Sequence, residues 1–517
     1  MSNKTGGDPE PAQLLVTSEP SPWLRALPGA RILTELEYLF GPAAALPPGT
    51  QVLNLSQATA YQSLGYYVSL LAVARGHVPL PSAATLLDLP SEAVRSVASE
   101  ELQPLLRTGL LGAAADAGRF VLRVYSGRSA APEHAALARA LFLHWPLPLL
   151  CAEFGFDEQH DRWRLTAVRP LSPGEVPAEE RALAASALAL QPRVWPAPVG
   201  RSSGAPYSLA ILTDPDEIEP PSDPRALQQF VRAASSLGMR AELITEADAH
   251  TLAGFDALFI RETTALWNRT YRLARKATEL GLVVVDDPDS ILRCCNKVFL
   301  AELLRHHGIP TPVTGIVHRG NVDEVLARLG LPCILKRPDG WASRGVLRVD
   351  TADGFRATAA ELLKDSALIV AQEYLPTEFD WRIGLFGGAP IYASRYYMAP
   401  GHWQVVRRDS NGDRVCEGPD DALPLEQVPA AVLRLSLQAA RLIGDGFYGI
   451  DLKDTARGPV VIEVNDNPSV ESGIEDGLLG EELYLRILRG FRARIGERRL
   501  RTATSSTAPA LVGLDPG

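Results

Sequence analysis

Cysteine is scarce in this sequence, and three common catalytic motifs are absent from it. The 517 residues include five cysteines, an odd number without a CxxC pair. So few thiols in so long a chain exclude a disulfide framework and favour reduced cysteines in the cytoplasm. The absence of GxxxxGK(S/T), GxSxG and HExxH excludes the common P-loop, α/β-hydrolase and zinc-protease classes.

Long apolar runs and an excess of positive charge are also missing. The most apolar stretch, residues 136–156, is interrupted by Arg139, His144 and two prolines, well short of a membrane span. Asp and Glu number 61 against 51 Lys and Arg, a net charge of −10, which disfavours nucleic acid or an anionic membrane as the main partner. We therefore expect a cytoplasmic protein with neither kind of partner.

The composition, 46% hydrophobic and 22% charged, is that of a folded chain of about three to four domains. Segments rich in Pro, Gly and Ser predict two tails and one linker. From residue 207, short β-rich runs alternate with helical periods, which predicts a small parallel α/β unit. The predicted divisions are a disordered tail (1–22), an α/β amino-terminal domain (23–195), a linker (196–206), the parallel unit (207–295), a mixed unit (296–372), a strand-rich α+β unit (373–492) and a flexible tail (493–517).

The strongest chemical signal is FYGIDLKDTARGPVVIEVNDNPS, residues 447–469. Its two β-rich runs predict a hairpin, and a turn centred on Arg457 places Asp451 opposite Glu463. Asn465 shares their face because side chains alternate along a strand. These oxygen donors suit Mg²⁺ that also holds phosphate, whereas the alternative is a solvated acidic hairpin. Opposed like charges on a half-buried sheet need a cation between them, which favours the metal site.

A second signal is CILKRPDGWASRGVLRV, residues 333–349. Here Lys336 ends a predicted strand, and a loop with Gly340 and Gly345 follows. Such a loop can fold over polyphosphate with the lysine at its base. The alternative is an ordinary hairpin that happens to begin after a lysine.

A third signal is IVAQEYLPTEFDWRIGLF, residues 369–386. A strand crossing of this kind offers main-chain groups to a purine edge, and the second strand carries Asp380 and Arg382 on one face. Arg382 and Arg395, the latter on the next strand, are candidates to stabilise an oxyanion or a phosphoryl group. The alternative is a surface Asp–Arg pair of little consequence.

The order of these parts resembles that of ATP-grasp enzymes, and most closely that of RimK-type ligases. The matching motifs are NKxxxxxxLxxxGIPTP, ILKRPDG and GIDL…IEVNDNPS, within residues 207–492. The resemblance implies an ATP-grasp fold of three subdomains, with ATP between the second and third. It also implies Mg²⁺, with Mn²⁺ as a substitute. The implied nucleotide-binding residues are Lys297, Lys336, Gly340, Gly345, Glu373, Tyr374, Asp380 and Gln404, and the implied metal ligands are Asp451, Glu463 and Asn465.

An amino-terminal segment, VLNLSQATAYQSLGYYVSLLAVARGH at residues 52–77, resembles the RimK-like ATP-grasp N-terminal (RLAN) domain that precedes some RimK-like ligases. Its tyrosines, serines and histidine can line a ligand site. The spacing of Tyr67, Leu70 and Leu71 is equally that of a packed helix.

The expected activity is an ADP-forming carboxylate–amine ligase that makes an amide or peptide bond through an acylphosphate. Its expected substrates are a small-molecule or peptide carboxylate and an amine, with an amino acid as one of the two. Two alternatives stay open: a kinase that uses the same nucleotide site, and a nucleotide-binding regulatory or scaffold protein. Ligases of this type often form dimers or tetramers, so a homo-oligomer is compatible with the resemblance.

Overall fold

The computed structural model describes residues 13–27, 30–41, 46–109, 118–157, 160, 162–189, 207–266, 269–340, 345–409 and 414–506. The chain divides into two compact units, Met1–Val194 with Ala360–Leu368 and Trp195–Ala359 with Ile369–Gly517. Over the described ranges, no helix combines the length and apolar character that crossing a membrane requires. The predicted linker, 196–206, lies outside the described residues, and its role stays a prediction.

The first unit contains one parallel and one antiparallel sheet, in the orders β2-β1-β3-β4 and β5-β6-β7. Its strands are β1 (Gln13–Val16), β2 (Arg31–Leu33), β3 (Gln51–Asn54), β4 (Val78–Leu80), β5 (Arg119–Tyr125), β6 (Leu149–Asp157) and β7 (Arg162–Pro170). Its helices are α1 (Glu35–Phe40), α2 (Leu64–Ala74), α3 (Ala83–Asp88), α4 (Glu92–Glu101), α5 (Gln103–Gly109), α6 (Ala135–His144) and α7 (Arg181–Ala189).

Helix α2 contains the tyrosines of the amino-terminal motif, which the sequence assigns either to a ligand site or to a packed helix. It begins after Ser63, whose hydroxyl accepts a hydrogen bond from the N–H of Tyr66 at 3.3 Å. Tyr66, Tyr67 and Leu70 are each 0% exposed, so the helix is buried on more than one side. This burial favours the packing interpretation of the tyrosines over a ligand site.

Strand β1 corrects the predicted amino-terminal tail. Residues 13–16 pair with both β2 and β3 inside the parallel sheet, and Leu14, Leu15 and Val16 are buried. The expectation of disorder from 13 to 22 is therefore wrong. The apolar QLLV run is short, and it becomes a strand because the sheet buries it on both faces.

The second unit contains four sheets, in the orders β11-β10-β8-β9, β12-β15-β13-β14, β20-β17-β16-β21-β22 and β18-β19. Its strands are β8 (Ser208–Leu212), β9 (Arg240–Ile244), β10 (Ala257–Ile260), β11 (Val283–Val285), β12 (Thr314–Val317), β13 (Cys333–Lys336), β14 (Val346–Val349), β15 (Ile369–Glu373), β16 (Phe379–Phe386), β17 (Ala389–Tyr397), β18 (Val406–Arg408), β19 (Arg414–Glu417), β20 (Asp420–Leu423), β21 (Phe447–Thr455) and β22 (Gly458–Asp466). Its helices are α8 (Pro224–Ser236), α9 (Arg269–Glu279), α10 (Pro288–Cys294), α11 (Lys297–His306), α12 (Val322–Leu329), α13 (Ala352–Leu362), α14 (Ala430–Ile443) and α15 (Glu481–Ser506). Helix α13 begins in this unit, and its last residues belong to the first unit.

The parallel sheet β11-β10-β8-β9 packs against α8 and α15 around an aromatic core. Phe230 of α8 lies 4.8 Å, between ring centroids, from Tyr484 of α15 and 5.1 Å from Phe259 of the sheet. Helix α15 continues to Ser506, so the predicted flexible tail from 493 is wrong up to that residue. The charged run near its end is helical because Phe491 and Ile495 are buried in this core.

The two larger antiparallel sheets position the candidate site. Helix α11 begins at Lys297, because the side chain of Asn296 caps it by accepting from the N–H groups of Val298 and Phe299. Strand β13 ends at Lys336, and β16, β21 and β22 are neighbours in the five-stranded sheet. Lys336 from one sheet, Lys297 from helix α11 and carboxylates from the other sheet therefore line the same cavity.

Candidate active site

The hairpin of β21 and β22 brings Asp451, Glu463 and Asn465 onto one face of the five-stranded sheet. Asp451 pairs with Glu463, and Gly449 pairs with Asn465, as the sequence predicts. A Cβ built on Gly449 would lie 2.8 Å from the Cβ of Pro468, so a larger residue would not fit opposite Asn465. The amide nitrogen of Asn465 donates to Asp451 at 3.0 Å.

A β-bulge at Ile462 makes this pairing possible. The innermost pair at the turn is Thr455 with Gly458, and Leu452 pairs with Val461. Continued without interruption, that register would place Asp451 opposite Ile462. The register shifts by one residue beyond Leu452, so Glu463 takes that position instead. The sequence does not predict the bulge: the predicted turn centre at Arg457 lies half a residue beyond the observed centre between Ala456 and Arg457, and this difference offsets the shift, so the predicted pair is correct.

Two buried residues hold the open end of the hairpin. Asp286 accepts hydrogen bonds from the N–H of Phe447 and the N–H of Asn467, each at 2.7 Å. Arg261, 1% exposed, donates to the side chain of Asn467 at 2.7 Å and to the carbonyl of Pro468 at 3.0 Å. At this open end, both strands of the hairpin are thus held by residues that directly follow β10 and β11 of the parallel sheet.

Side-chain cations neutralise the opposed carboxylates. Arg382 donates to both oxygens of Asp451, each at 2.7 Å, and Lys297 forms an ion pair with Glu463. Burial alone would raise the pKa of Glu463, but Lys297 and Lys336 outweigh it and hold that pKa below its usual value. The like-charge repulsion expected from the sequence is therefore offset by the protein itself.

Lys297 also connects the hairpin to the glycine loop. Its ammonium donates to the carbonyl of Gly340 at 2.7 Å. Gly345 closes the loop with a φ of +71°, and a Cβ there would lie 2.8 Å from the side chain of Arg337, so glycine is required. Residues 341–344, between the two glycines, lie outside the described residues.

Lys336 is a buried cation to which the described residues supply no partner. It is 8% exposed, and within the described part of the chain its ammonium makes neither a hydrogen bond nor an ion pair. Burial lowers the pKa of Lys336 to about 8, although Glu463 opposes the shift. An uncompensated cation beside a cavity is a site for an anion.

The cavity that these residues surround has a volume of about 300 Å³. It lies wholly within the second unit. Its lining includes all three predicted metal ligands, Arg382 and most of the predicted nucleotide-binding residues, namely Lys297, Lys336, Gly340, Glu373, Tyr374, Asp380 and Gln404. Gly345 is not among the lining residues and acts instead on the shape of the loop.

The aromatic part of the cavity lies around Tyr374. Its ring is 6.1 Å from that of Trp403 in an edge-to-face arrangement, and Arg348 lies over it at 4.4 Å. The main-chain N–H of Glu373 already donates to Val313 at 2.9 Å, so it is not available to a purine. Gln404 lines this part, and its side chain lies 3.2 Å from His402.

Asp380 does not stand alone, because Lys453 donates to it at 2.5 Å and Thr377 at 3.1 Å. Burial raises the pKa of Asp380 and Lys453 opposes that shift. Lys453 follows Asp451 by two residues on β21 and faces the same cavity. Sequence reasoning missed it, although strand alternation from Asp451 points to it.

Arg395 lies on the opposite face of the sheet, which contradicts its predicted catalytic role. It pairs across strands with Trp381, whereas Arg382 pairs with Ser394. Since neighbours along a strand point to opposite faces, the two arginines face away from each other. Arg395 instead forms an ion pair with Asp421 and is not among the cavity-lining residues.

Three further lining residues were not expected from the sequence: Tyr396, Glu471 and Glu475. Tyr396 lies two residues beyond Ser394 on the face of Arg382, and its hydroxyl donates to Glu475. Glu471 and Glu475 follow directly after the predicted motif, in VESGIED. The acidic residues of that extension are the signal that could have pointed to them.

The donor set at the hairpin fits Mg²⁺. Two carboxylates and an amide oxygen are the hard ligands that this ion prefers. No cluster of three His, Cys, Asp or Glu residues able to hold a metal occurs in the described ranges, so the site depends on Asn465 and on ligand oxygens for the remaining coordination. Arg382 and Lys297, which pair with the carboxylates, are themselves suited to phosphate.

Comparison with known proteins gives one family match. Residues 36–187 match the model of the RimK-like ATPgrasp N-terminal domain, abbreviated RLAN. The match covers most of the first unit and includes the motif at residues 52–77.

The chain is also similar to curated proteins and to solved structures. The chain is 29% identical over 234 residues to a probable alpha-L-glutamate ligase from Thioalkalivibrio sulfidiphilus, covering 43% of this chain and 72% of that protein. It is 25% identical over 229 residues to a probable alpha-L-glutamate ligase from Alcanivorax borkumensis, with the same coverage of 43% and 72%. A RimK domain ATP-grasp protein from Sphaerobacter thermophilus is 18% identical, with 55% of this chain and 98% of that chain covered and a TM-score of 0.42.

Proposed function

Since this chain is a RimK-like ATP-grasp carbon–nitrogen ligase with an RLAN amino-terminal domain, we propose that it joins an amino-acid carboxylate to an amine through an acylphosphate. The relatives named probable alpha-L-glutamate ligases support L-glutamate as one substrate. The products are then an amide or peptide bond, ADP and phosphate.

The observation that carries the nucleotide part of this proposal is Lys336. A side chain that is 8% exposed, carries an ammonium and has no partner among the described residues supports an anionic ligand at this end of the cavity. Lys297 lies beside it, since the charge of Lys297 acts on the pKa of Lys336. Two lysines under a glycine loop suit the phosphates of ATP, and the rings of Tyr374 and Trp403 suit its purine.

In this proposal, Asp451, Glu463 and Asn465 hold Mg²⁺, for which Mn²⁺ can substitute. When bound, the ion offsets negative charge on the transferring phosphoryl group. Lys336 holds the phosphate oxygens, and Arg382, fixed by two hydrogen bonds to Asp451, stabilises the oxyanion that forms when the amine attacks the acyl carbon.

A hydroxylamine trap tests the acylphosphate. The protein is incubated with ATP, Mg²⁺, L-glutamate and hydroxylamine, and ADP and glutamyl hydroxamate are measured together. We expect both products in equal amounts and neither when L-glutamate is omitted. ADP release with a stable phosphorylated product and no hydroxamate would contradict the ligase mechanism. A panel of other amino-acid carboxylates, run in parallel, identifies the carboxylate if glutamate is inactive.

A further inference from the structure

The charged side chains of the cavity fall into two groups according to whether they have partners. Lysines, arginines and carboxylates in the lining pair with one another in the sets Lys297–Glu463, Arg382–Asp451, Lys453–Asp380 and Arg414–Glu417. Glu373 of the lining pairs with Arg457, which lies outside the lining. Glu475 accepts from Tyr396 and from the N–H of Glu471. Within the described chain, two ionised side chains of the lining have no such partner: Lys336 and Glu471.

Two separate series of interactions connect Lys336 and Glu471 to Arg382. In one series, the charge of Glu463 acts on Lys336, and Glu463 is the cross-strand partner of Asp451. In the other series, Arg382 lies over the ring of Tyr396 at 5.2 Å, and Tyr396 binds Glu475, whose carboxylate accepts from the N–H of Glu471 at 2.8 Å. The unpaired cation and the unpaired anion thus mark two different parts of one cavity.

We propose that Glu471 binds the amino group of the amine substrate and accepts its proton before bond formation. This inference rests on the proposed function, because it assigns the second substrate of the same reaction. The buried cation Lys336 independently marks the cavity as a ligand site. Within the described residues, Glu471 is the lining carboxylate that neither accepts a hydrogen bond nor forms an ion pair. A protonated primary amine, such as the α-amino group of an amino acid, supplies the missing charge.

The proposed step transfers two protons from the nitrogen, forms a C–N bond and breaks a C–O bond. The carboxylate of Glu471 takes one proton from the ammonium and leaves a neutral amine. The nitrogen lone pair forms the C–N bond, the C–O bond to phosphate breaks with its electron pair, and the leaving phosphate takes the second proton from nitrogen. Burial and the charge of Glu475 raise the pKa of Glu471 to about 7, against the opposing charge of Arg414, which suits a group that accepts a proton near neutral pH.

The test compares Glu471→Gln with wild type in two reactions of the same protein. Hydroxylamine is mostly uncharged at neutral pH and loses no proton before it attacks, whereas an amino acid arrives as an ammonium that must first lose one. With ATP, Mg²⁺ and L-glutamate, we expect Glu471→Gln to make hydroxamate at a rate within about twofold of wild type. Ligation to an amino-acid amine, drawn from a pool of the common amino acids, should fall by about 10²-fold, as expected for loss of a general base.

Two further variants sharpen the result. Glu481→Gln, the same change at an exposed residue at the start of α15, should leave both reactions unchanged. Glu471→Asp retains the charge on a shorter side chain and should recover part of the ligation rate. Hydroxamate formation in the Gln variant shows in the same sample that the protein is folded.

The remaining outcomes overturn the proposal in distinguishable ways. Wild-type ligation by Glu471→Gln would overturn the role of Glu471 and leave the ligase mechanism intact. Equal loss of both reactions in the Gln and Asp variants would also overturn it, because Glu471 would then act on the nucleotide half-reaction or on folding. Absence of hydroxamate with wild-type protein would overturn the proposed function, and this inference with it.

Discussion

Each face of the five-stranded sheet carries an arginine that pairs with an aspartate, and the surroundings of the two arginines differ. On the cavity face, Arg382 and Asp451 form a pair whose side chains are 20% and 19% exposed. On the other face, Arg395 and Asp421 are 28% and 40% exposed and pack beside Phe379 and Trp381. Both are bidentate Arg–Asp pairs, so residue type does not separate them. The face decides which pair can meet a ligand, and the face depends on strand register.

The largest expected effect on the cavity face follows Glu463→Gln. Loss of a metal-ligand charge should lower ATP turnover by about two orders of magnitude, measured as ADP release. The variant should also melt at a lower temperature, because Lys297 loses its carboxylate partner. Relief of the repulsion between Asp451 and Glu463 alone would instead raise the melting temperature.

Asp454→Asn, at an exposed position of the same hairpin, is the matched control and should behave as wild type. Wild-type turnover in Glu463→Gln would show that the hairpin is not the metal site.

A smaller effect is expected for Lys336→Met, which keeps the aliphatic side chain and removes the ammonium. Affinity for a non-hydrolysable ATP analogue should weaken by about 1.5–3 kcal/mol, the range for hydrogen bonds to charged groups, as measured by calorimetric titration. The ligand-free variant should melt at a higher temperature at neutral pH, because it no longer buries an unpaired charge. Lys276→Met on the exposed surface of α9 should change neither quantity.

The sign of the thermal effect follows from the two pKa values. The pKa of Lys336 falls from 10.5 to about 8 on folding, because burial disfavours the charge. Between these values the unfolded chain binds more protons, so this residue makes stability rise with pH across that window, and it destabilises the fold fully below it. An unchanged melting temperature in Lys336→Met would argue against a buried, unpaired ammonium.

Weaker still is the expected pH dependence of nucleotide binding in the wild type. Below about 8 the ammonium of Lys336 is charged and attracts phosphate, and above its pKa that attraction is lost. Affinity for the ATP analogue should therefore fall by up to about tenfold per pH unit above this point. Lys336→Met should lack this component, and identical profiles for the two proteins would assign the dependence to another group.

The smallest effect is expected for Arg395→Gln on the opposite face. Because its pair with Asp421 is partly exposed, its removal should cost at most about 1 kcal/mol of unfolding free energy, measured by denaturant titration. Turnover should stay within about twofold of wild type. Arg382→Gln should lose far more activity. Equal losses of turnover in Arg382→Gln and Arg395→Gln would show that the two faces of the sheet do not differ in function.

The hairpin site could be predicted from sequence because its parts are local. Asp451, Glu463 and Asn465 lie within fifteen residues of one another, and turn and alternation rules connect them. Arg395 could not be placed in this way, because the register between β16 and β17 includes a shift at Gly384 and Leu385, and one residue of shift changes the face.

The charge partners could not be predicted either. Lys297 and Glu463 are separated by 166 positions in the chain, and Lys453 and Asp380 by 73. Nothing local in the sequence selects one such pair over another. The same limit applies to the fold. The sequence alone assigns QLLV at 13–16 to a tail, because the strands that pair with it lie further along the chain.

The bulge at Ile462 makes the length of the hairpin a functional property, separate from its composition. Between the turn at Arg457 and Asn465, an exchange of one side chain for another alters a single contact. Insertion of one more residue into this stretch, with the single bulge retained, would place Ile462 opposite Asp451 and turn Glu463 and Asn465 together toward the buried core. The segment therefore tolerates substitutions far better than insertions. The number of residues between the turn and the two predicted metal ligands is itself a requirement of the candidate site.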